Sequence, residues 1–435
     1  MLDRLLTELG ERSDYDAASQ CSRCGYCEQS CPTYVATGRE TLSPRGRNQI
    51  VRHLIEGTFK DPLAAEEALS SCLLCSACTT ICPASVPTAD LVLEGRRMLR
   101  KDNPHWVAKN ASRLLVENPA LFESMIRWGN RFKRWGLAGL AARLGILKLF
   151  GLDAMEIAVL HVDEAPNELL RDRLRDKPIS KGESWAYFTA CGTNFLFPRV
   201  GEASLRVLES TKGLGKALDN PCCGLLSYNY GALDDARALA KRNIERFEAE
   251  NLPESSPIVG DCSSCVSFLK SYPQLFLADP EWKKRAERFS NSVKDFVEVL
   301  DPKTLPENGA PGKGPVTLHD ACRARNGQGI VNEPRAVMNT LGGDRCRELG
   351  GAGECCGGAG AFAFLHPELS DELLRKKIGA IADTQAAVVL ASSTSCLLQL
   401  VRGLKVYYPE CRVEHLSEWV DSSLPKPPPS SGTAS

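Results

Sequence analysis

The run Cys21-x2-Cys24-x2-Cys27-x3-Cys31-Pro32 recurs as Cys72-x2-Cys75-x2-Cys78-x3-Cys82-Pro83, and this pairing constrains the chain more than anything else in it. Two residues between successive cysteines let the backbone curl so that three thiolates face one centre. The fourth, followed by proline, ligates the neighbouring centre in proteins that hold two. The spacing therefore predicts two [4Fe–4S] clusters, one on Cys21, Cys24, Cys27 and Cys82, the other on Cys72, Cys75, Cys78 and Cys31. Zinc also takes four thiolates at CxxC spacing, but a zinc site does not require this longer run twice over. Haem is disfavoured as well: no CxxCH occurs, and the histidines are only His53, His105, His161, His319, His366 and His415, with no cluster among them. A cubane on four thiolates is a net dianion when oxidised, so nearby cations favour it; Arg23, Arg45 and Arg47 are the candidates, or else they line a solvated helix face.

The chain has 19 cysteines in 435 residues and opens MLDRLLTELG, with charges at Asp3 and Arg4 and no apolar signal core. That start is of the cytoplasmic type, where disulfides are rare and clustered cysteines hold metal or do chemistry. Lys and Arg number 53 against 54 Asp and Glu, so no global charge points to nucleic acid. No stretch reaches the roughly 20 uninterrupted apolar residues of a membrane span, so any membrane contact is peripheral, on the inner face of the cell membrane.

Residues 1–102 form an expected helical ferredoxin domain. In its insert SPRGRNQIVRHLIEG, Ser43 is placed to cap a helix, Pro44 suits the first turn, and Gly57 ends it. A second helix is expected over Thr88 to Arg100. Residues 103–180 read as a helical linker with Phe122, Met125, Trp128, Phe132 and Trp135 at helical spacing and Arg127, Arg131, Lys133 and Arg134 between them. That face suits packing on this chain or a partner, or else a membrane surface. Residues 425–435, rich in Pro and Ser, read as a disordered tail.

Between them lies an internal repeat, over 181–300 and 301–424. WAYFTA runs into Cys191 and VTLHDA into Cys322. Pro221-Cys222-Cys223-Gly224 answers Glu354-Cys355-Cys356-Gly357, and a later apolar strand leads to Cys262 and Cys265 in one copy and to Cys396 in the other. Alternating strands and helices predict two α/β units with cysteines at strand ends and loops, so the fold class is α plus α/β. Aligned on the last cysteine, Ser393 stands opposite Cys262: the first copy offers Cys191, Cys222, Cys223, Cys262 and Cys265, the second Cys322, Cys355, Cys356 and Cys396. A vicinal Cys-Cys pair suits presentation of two thiolates to adjacent irons. His319 and Asp320 read as groups that orient or protonate near the second site, or as structural residues beside it. Gly357, Gly358 and Gly360 suit either a close backbone approach to sulfur or a simple tight turn. Cys346 and Cys411 match no motif and read as ordinary buried thiols.

Two ferredoxin runs with SPRGR between them, followed by two CCG modules, resemble the iron–sulfur subunit of glycolate oxidase, and also the C subunit of anaerobic glycerol-3-phosphate dehydrogenase and D subunits of heterodisulfide reductase. The resemblance runs from about Cys21 to Trp419; CPTYVATGRETLSPRGR, HDAC, ECCGGAGAFAFLHPEL and CLLQL lean it toward the glycolate oxidase type. It implies an electron-transfer subunit of a flavin-dependent 2-hydroxy-acid dehydrogenase, with a flavoprotein as partner and a quinone or other acceptor downstream, rather than the subunit that oxidises the substrate. No G-x-G-x-x-G follows a strand and no Walker-type loop occurs, so flavin, haem and nucleotide are not expected in this chain.

The heterodisulfide reductase likeness implies a further iron–sulfur cluster, of a noncubane form, on the five cysteines of the first copy. It also keeps open a second activity, reduction of a disulfide there. Cys262 itself pulls toward that pattern, since glycolate oxidase-type subunits commonly lack it. For the second copy, four thiolates suffice for an ordinary cubane, and a structural site without a cluster is the alternative.

Overall fold

The computed structural model describes residues 4–7, 10–100, 113–146, 165–176 and 181–425. Parts of the expected linker and nearly all of the expected tail, from residue 426, lie outside the described residues. The N-terminal region is helical apart from one antiparallel hairpin of β1 (Arg4–Thr7) and β2 (Gly10–Ser13). Its insert forms the helix Pro44–Ile55, where the Ser43 hydroxyl accepts from the Gly46 amide at 2.9 Å and Pro44 occupies the first turn. Gly57, at φ +68°, follows its end. The helices Pro62–Ser70 and Thr88–Arg100 complete the region, with Val51, Leu69, Leu91 and Val92 buried where they meet.

Two parallel sheets follow. In the first, β3 (Lys181–Phe188), β4 (Gly215–Ala217), β5 (Ile258–Gly260) and β6 (Val293–Asp295) lie in the order β4-β3-β5-β6. In the second, β7 (Val316–His319), β8 (Cys346–Arg347), β9 (Val388–Ala391) and β10 (Arg412–His415) lie in the order β8-β7-β9-β10. Every pairing in both sheets is parallel, and the strand order 2-1-3-4 is the same in each. Short, wholly apolar runs such as Val388-Val389-Leu390-Ala391 are buried on both faces, as parallel strands covered by helices must be. The fold class is thus a helical ferredoxin region with two α/β units.

The chain direction across each sheet reverses between strands one and three, so a crevice opens at their carboxyl ends. Cys191 follows β3 and Cys262 follows β5; Cys322 follows β7 and Ser393 follows β9. The register makes the repeat exact in number: Phe188 pairs with Gly260 and His319 with Ala391, both partners offset by 131 residues. Cys191 to Cys322, Cys262 to Ser393 and Cys265 to Cys396 keep that same offset.

The three regions share their cores. Leu42, Ile50 and Leu91 of the helical region belong to one apolar cluster with Phe188, Tyr228 and Phe268 of the first α/β unit. Trp185, Tyr187 and Leu208 of that unit join Leu318, Leu390 and Trp419 of the second. A small cluster of Leu73, Cys355, Phe362 and Leu373 closes the contact between the helical region and the second unit. Among the described linker residues, the helix Pro119–Arg134 is anchored by Phe122 edge-on to Phe195 at 5.8 Å and by Arg127 to Asp172 at 2.5 Å. Its other side leaves Met125, Trp128, Phe132 and Trp135 exposed. No helix among the described residues is long and apolar enough to cross a membrane.

Candidate metal centres

Cys31, Cys72, Cys75 and Cys78 line one cavity in the helical region, together with Pro44 and Arg47. These are the four cysteines that the spacing predicts for one cluster. Cys31 reaches it as the N-cap of the short helix Pro32–Thr37, where proline takes the first turn. In the other group, burial first and then the neighbouring Cys21, Cys82 and Cys24 push the Cys27 thiol up to about 11. Thiols brought this close to one another favour a cationic group that accepts them as thiolates, and the gathering of each set is of the kind that the predicted metal centres require.

Of the three arginines expected to offset cluster charge, the structure singles out Arg47. It is fully buried, with Nη1 3.7 Å from Cys31 Sγ, Nε donating to Ala68 O at 2.8 Å, and Nη2 donating to Thr33 and Ser71 hydroxyls at 3.0 and 3.1 Å. No carboxylate is among these partners, so its charge is directed at the cysteines. Arg45 corrects the expectation in part: its guanidinium sits on Glu28 at 2.6 Å and Glu40 at 2.8 Å, which neutralise it locally. Arg23, at φ +60° and exposed, makes no such contact with a cysteine sulfur. Replacing Arg47 with leucine is expected to lower the midpoint potential of a cluster held by Cys31 by on the order of 100 mV, from a charge a few ångströms away at an effective dielectric near 20. An EPR-monitored redox titration measures this, and an unchanged midpoint would remove Arg47 from the electrostatics.

The five cysteines of the first α/β unit come together. Cys191 lies within hydrogen-bonding reach of Cys222 and Cys265, Cys223 of Cys222 and Cys265, and Cys262 of Cys265. Their supports are polar groups from helices: Asn243 Nδ2 donates to Cys222 O at 3.0 Å and Tyr272 Oη to Cys223 O at 2.7 Å. Gly224 sits at φ +90°, a conformation that favours glycine and turns the chain from the vicinal pair into the helix Leu225–Asn229. Cys262 is held from across the domain boundary, its sulfur 3.4 Å from Thr394 Oγ1 and 3.6 Å from Ser393 Oγ. Hydrogen bonds from Cys265, and then from Thr394 and Ser393, outweigh burial and hold its thiol down at about 6. Gly192 permits this seam, since a Cβ there would lie 2.2 Å from Thr394 Oγ1.

In the second unit Cys322 adjoins Cys355, Cys355 adjoins Cys356, and Cys356 adjoins Cys396. A ring nitrogen of His319 and the sulfurs of Cys356 and Cys396 all lie within 4.8 Å of one another. The expected His319-Asp320 pair is split by the structure. Asp320 turns away to Arg325 at 2.8 Å and Arg335 at 3.0 Å, while His319 faces the cysteines. Gly357, at φ +80°, is a turn whose added Cβ would meet Ser370 O at 2.7 Å; Gly358 is the one that approaches Cys356. Lys377, buried, donates to Gly351 O at 2.6 Å, and its charge acts on Cys356 and Cys355. Cys411 is buried in the second core, and Cys346 is half-buried, donating to Met338 O at 3.2 Å; neither joins a site.

The helical region touches both units at their cysteines. Arg96, almost fully buried, donates to Leu69 O, Ser70 O and Cys72 O, and also to Asn229 O at 2.9 Å, at the end of the helix after Cys222-Cys223. Cys75 lies close enough to Cys322 and Cys355 to feel their charge, and Asn326 of the second unit donates to Cys75 O at 3.0 Å. Cysteine spacing does not reveal Arg96, Asn243, Asn326 or Lys377, because each lies within a helix whose tertiary pairing, within its domain for Asn243 and Lys377 and across domains for Arg96 and Asn326, no local pattern encodes.

A helical region with two four-cysteine sets, joined to two cysteine-bearing α/β units, defines a multicentre iron–sulfur protein. Residues 17–86 match the family model of the 4Fe-4S dicluster domain, and residues 185–270 and 316–401 each match that of the cysteine-rich CCG domain. The chain is 29% identical over 416 residues to a probable glycolate oxidase iron-sulfur subunit of Bacillus subtilis strain 168, covering 93% of each chain. It is 25% identical over 411 residues to the glycolate oxidase iron-sulfur subunit of Escherichia coli K12, covering 93% of this chain and 94% of that one. A lactate utilization protein A of Exiguobacterium is 30% identical over 244 residues, which are 97% of its length and 55% of this chain. The chain belongs to the family of glycolate oxidase iron–sulfur subunits and their lactate utilization relatives, with one dicluster domain and two CCG domains.

Proposed function

We propose that the chain is the electron-conducting subunit of a flavin-dependent dehydrogenase of glycolate, lactate or a similar 2-hydroxy acid, taking electrons from a partner flavoprotein and passing them toward a quinone or comparable acceptor. In this reading Cys21, Cys24, Cys27 and Cys82 hold one [4Fe–4S] cluster and Cys72, Cys75, Cys78 and Cys31 the other, with a further cluster on Cys191, Cys222, Cys223, Cys262 and Cys265. Clusters supply single-electron transfer, and oxidation of a hydroxy acid needs a two-electron cofactor from elsewhere.

One observation carries the proposal: Cys75 lies close enough to Cys322 and Cys355 to feel their charge, and Cys75, Cys322 and Cys355 pack in one small cluster, so the cysteine sets of the dicluster domain and the second CCG domain meet there. Asn326 and Arg96 tie these contacts with hydrogen bonds to Cys75 O and Cys72 O. The exposed side of the helix Pro119–Arg134, with Trp128, Phe132 and Trp135 beside Arg131, is where docking to the flavoprotein or peripherally to a membrane is proposed.

A second reading, reduction of a disulfide at the first CCG site, is favoured by the gathering of all five cysteines there and by the exposure of Cys191. One preparation separates the two. The purified chain, isolated anaerobically, is expected to show cluster signals by EPR but no oxidation of glycolate or lactate and no turnover of small disulfides. Hydroxy-acid oxidation by the chain alone would overturn the first reading, and disulfide reduction would establish the second.

A further inference from the structure

Among the matched positions at which the two CCG domains differ, two lie at the ends of adjacent central strands. Phe188 ends β3 opposite Gly260, and His319 ends β7 opposite Ala391. Two residues beyond those partners stand Cys262 in the first domain and Ser393 in the second. Where the first domain has phenylalanine and cysteine, the second has histidine and serine.

Ser393 does not replace the missing thiolate. Its hydroxyl is engaged with Ser264 Oγ at 2.9 Å and Ser395 Oγ at 3.1 Å, and it faces Cys262 of the first site. His319 is 1% exposed, and neither of its ring nitrogens has a hydrogen-bond partner. A buried imidazole whose ring nitrogens have no partners carries an uncompensated desolvation cost, so the site is incomplete as it stands. The ring is aimed at the place where a partner would sit, since one of its nitrogens and the sulfurs of Cys356 and Cys396 lie within 4.8 Å of one another. Imidazole and thiolate together are an established donor pair for iron, and substituting nitrogen for sulfur raises the potential of a cluster.

We propose that His319 is a ligand to iron in a cluster held by the second CCG domain, completing with Cys322, Cys355, Cys356 and Cys396 a five-donor set in which an imidazole does the work of the fifth thiolate. This rests on the reading of that domain as a cluster site. It makes the second centre the more easily reduced of the two CCG centres, because a neutral donor replaces an anionic one.

The test uses the full chain, isolated anaerobically from cells grown with 15N-histidine. Pulsed EPR of the reduced protein is expected to show a strongly coupled 15N nucleus, of the strength of a directly bound imidazole, without any substitution having been made. In the His319→Phe variant that coupling is expected to vanish. The double variant His319→Phe/Ser393→Cys, which restores the first domain's pair, is expected to recover the iron content without the nitrogen coupling and with its midpoint shifted to lower potential. Absence of strong coupling in the unaltered chain, or its persistence in His319→Phe, overturns the assignment. If iron and acid-labile sulfide do not fall in a Cys356→Ser variant, or zinc occupies the site, the cluster reading of this domain fails and the ligand assignment with it. A fall of iron and sulfide in that variant, with no nitrogen coupling in the parent, retains the cluster and rejects the histidine.

Discussion

Replacing Cys75 with serine is expected to remove one cluster, about four irons per chain, and to slow electron flow through the assembled complex by on the order of 100-fold or more. The expectation follows from position. Cys75 lines the cavity shared with Cys31, Cys72 and Cys78, and it is also the residue of that set that lies close enough to Cys322 and Cys355 to feel their charge. A serine alcohol is a far poorer iron ligand than a thiolate, and here its loss falls at the junction. Iron and sulfide analysis measures the first effect. Quinone-analogue reduction by the complex measures the second, with dye reduction at the flavoprotein as the control that should not change. Unimpaired quinone reduction by a variant that has lost the cluster would show that electrons bypass this junction.

The Arg96→Ala variant is expected to be less stable by about 3–5 kcal/mol, since hydrogen bonds from a charged donor contribute about 1.5–3 kcal/mol each and their loss leaves buried carbonyls unmet. Four carbonyls depend on this guanidinium, those of Leu69, Ser70, Cys72 and Asn229, and the last belongs to a different domain. The loss therefore falls partly within the dicluster domain and partly on its interface with the first CCG domain. Thermal unfolding of the loaded chain should show its first transition lowered, and limited proteolysis should cut between those domains sooner. Arg96→Lys keeps the charge but not the planar fork, and should recover only part of the loss. A variant with an unchanged transition and unchanged proteolysis would mean that the interface is held by its apolar contacts alone.

Much of this was readable from the sequence, for reasons that differ by feature. The helix beginning at Pro44 announces itself through Ser43 and proline, both local signals, and the helix Thr88–Arg100 lies where its pattern places it. The strands β3, β5, β7 and β9 each hold a short apolar stretch, such as residues 185–188 in β3, that ends near cysteine or serine. The edge strands β4, β6, β8 and β10 are two to four residues long, too short to carry a periodicity, and form only because a sheet is already there to pair with. At the sites, cysteine spacing marks the donors but is silent on what surrounds them. Arg45 and Arg47 look alike in sequence; only packing sends one to Glu28 and Glu40 and buries the other beside Cys31. His319 and Asp320 adjoin in the chain and point to opposite sides of β7's end, as successive residues of a strand do.

The seam between the CCG domains has an electrostatic side. Cys262 caps the helix Ser263–Lys270 and Ser393 caps the helix Thr394–Tyr407, and these two caps are the residues that touch, with the Ser263 amide donating to Ser392 O at 2.9 Å. Two helix dipoles thus converge with their positive ends at one point. Each contributes partial positive charge to a place flanked by both cysteine sets, so the field that favours an added electron on one side favours it on the other. A cluster held on either side of this seam would therefore lie in the field of both helix ends, and a change that turns one of them would reach beyond its own domain.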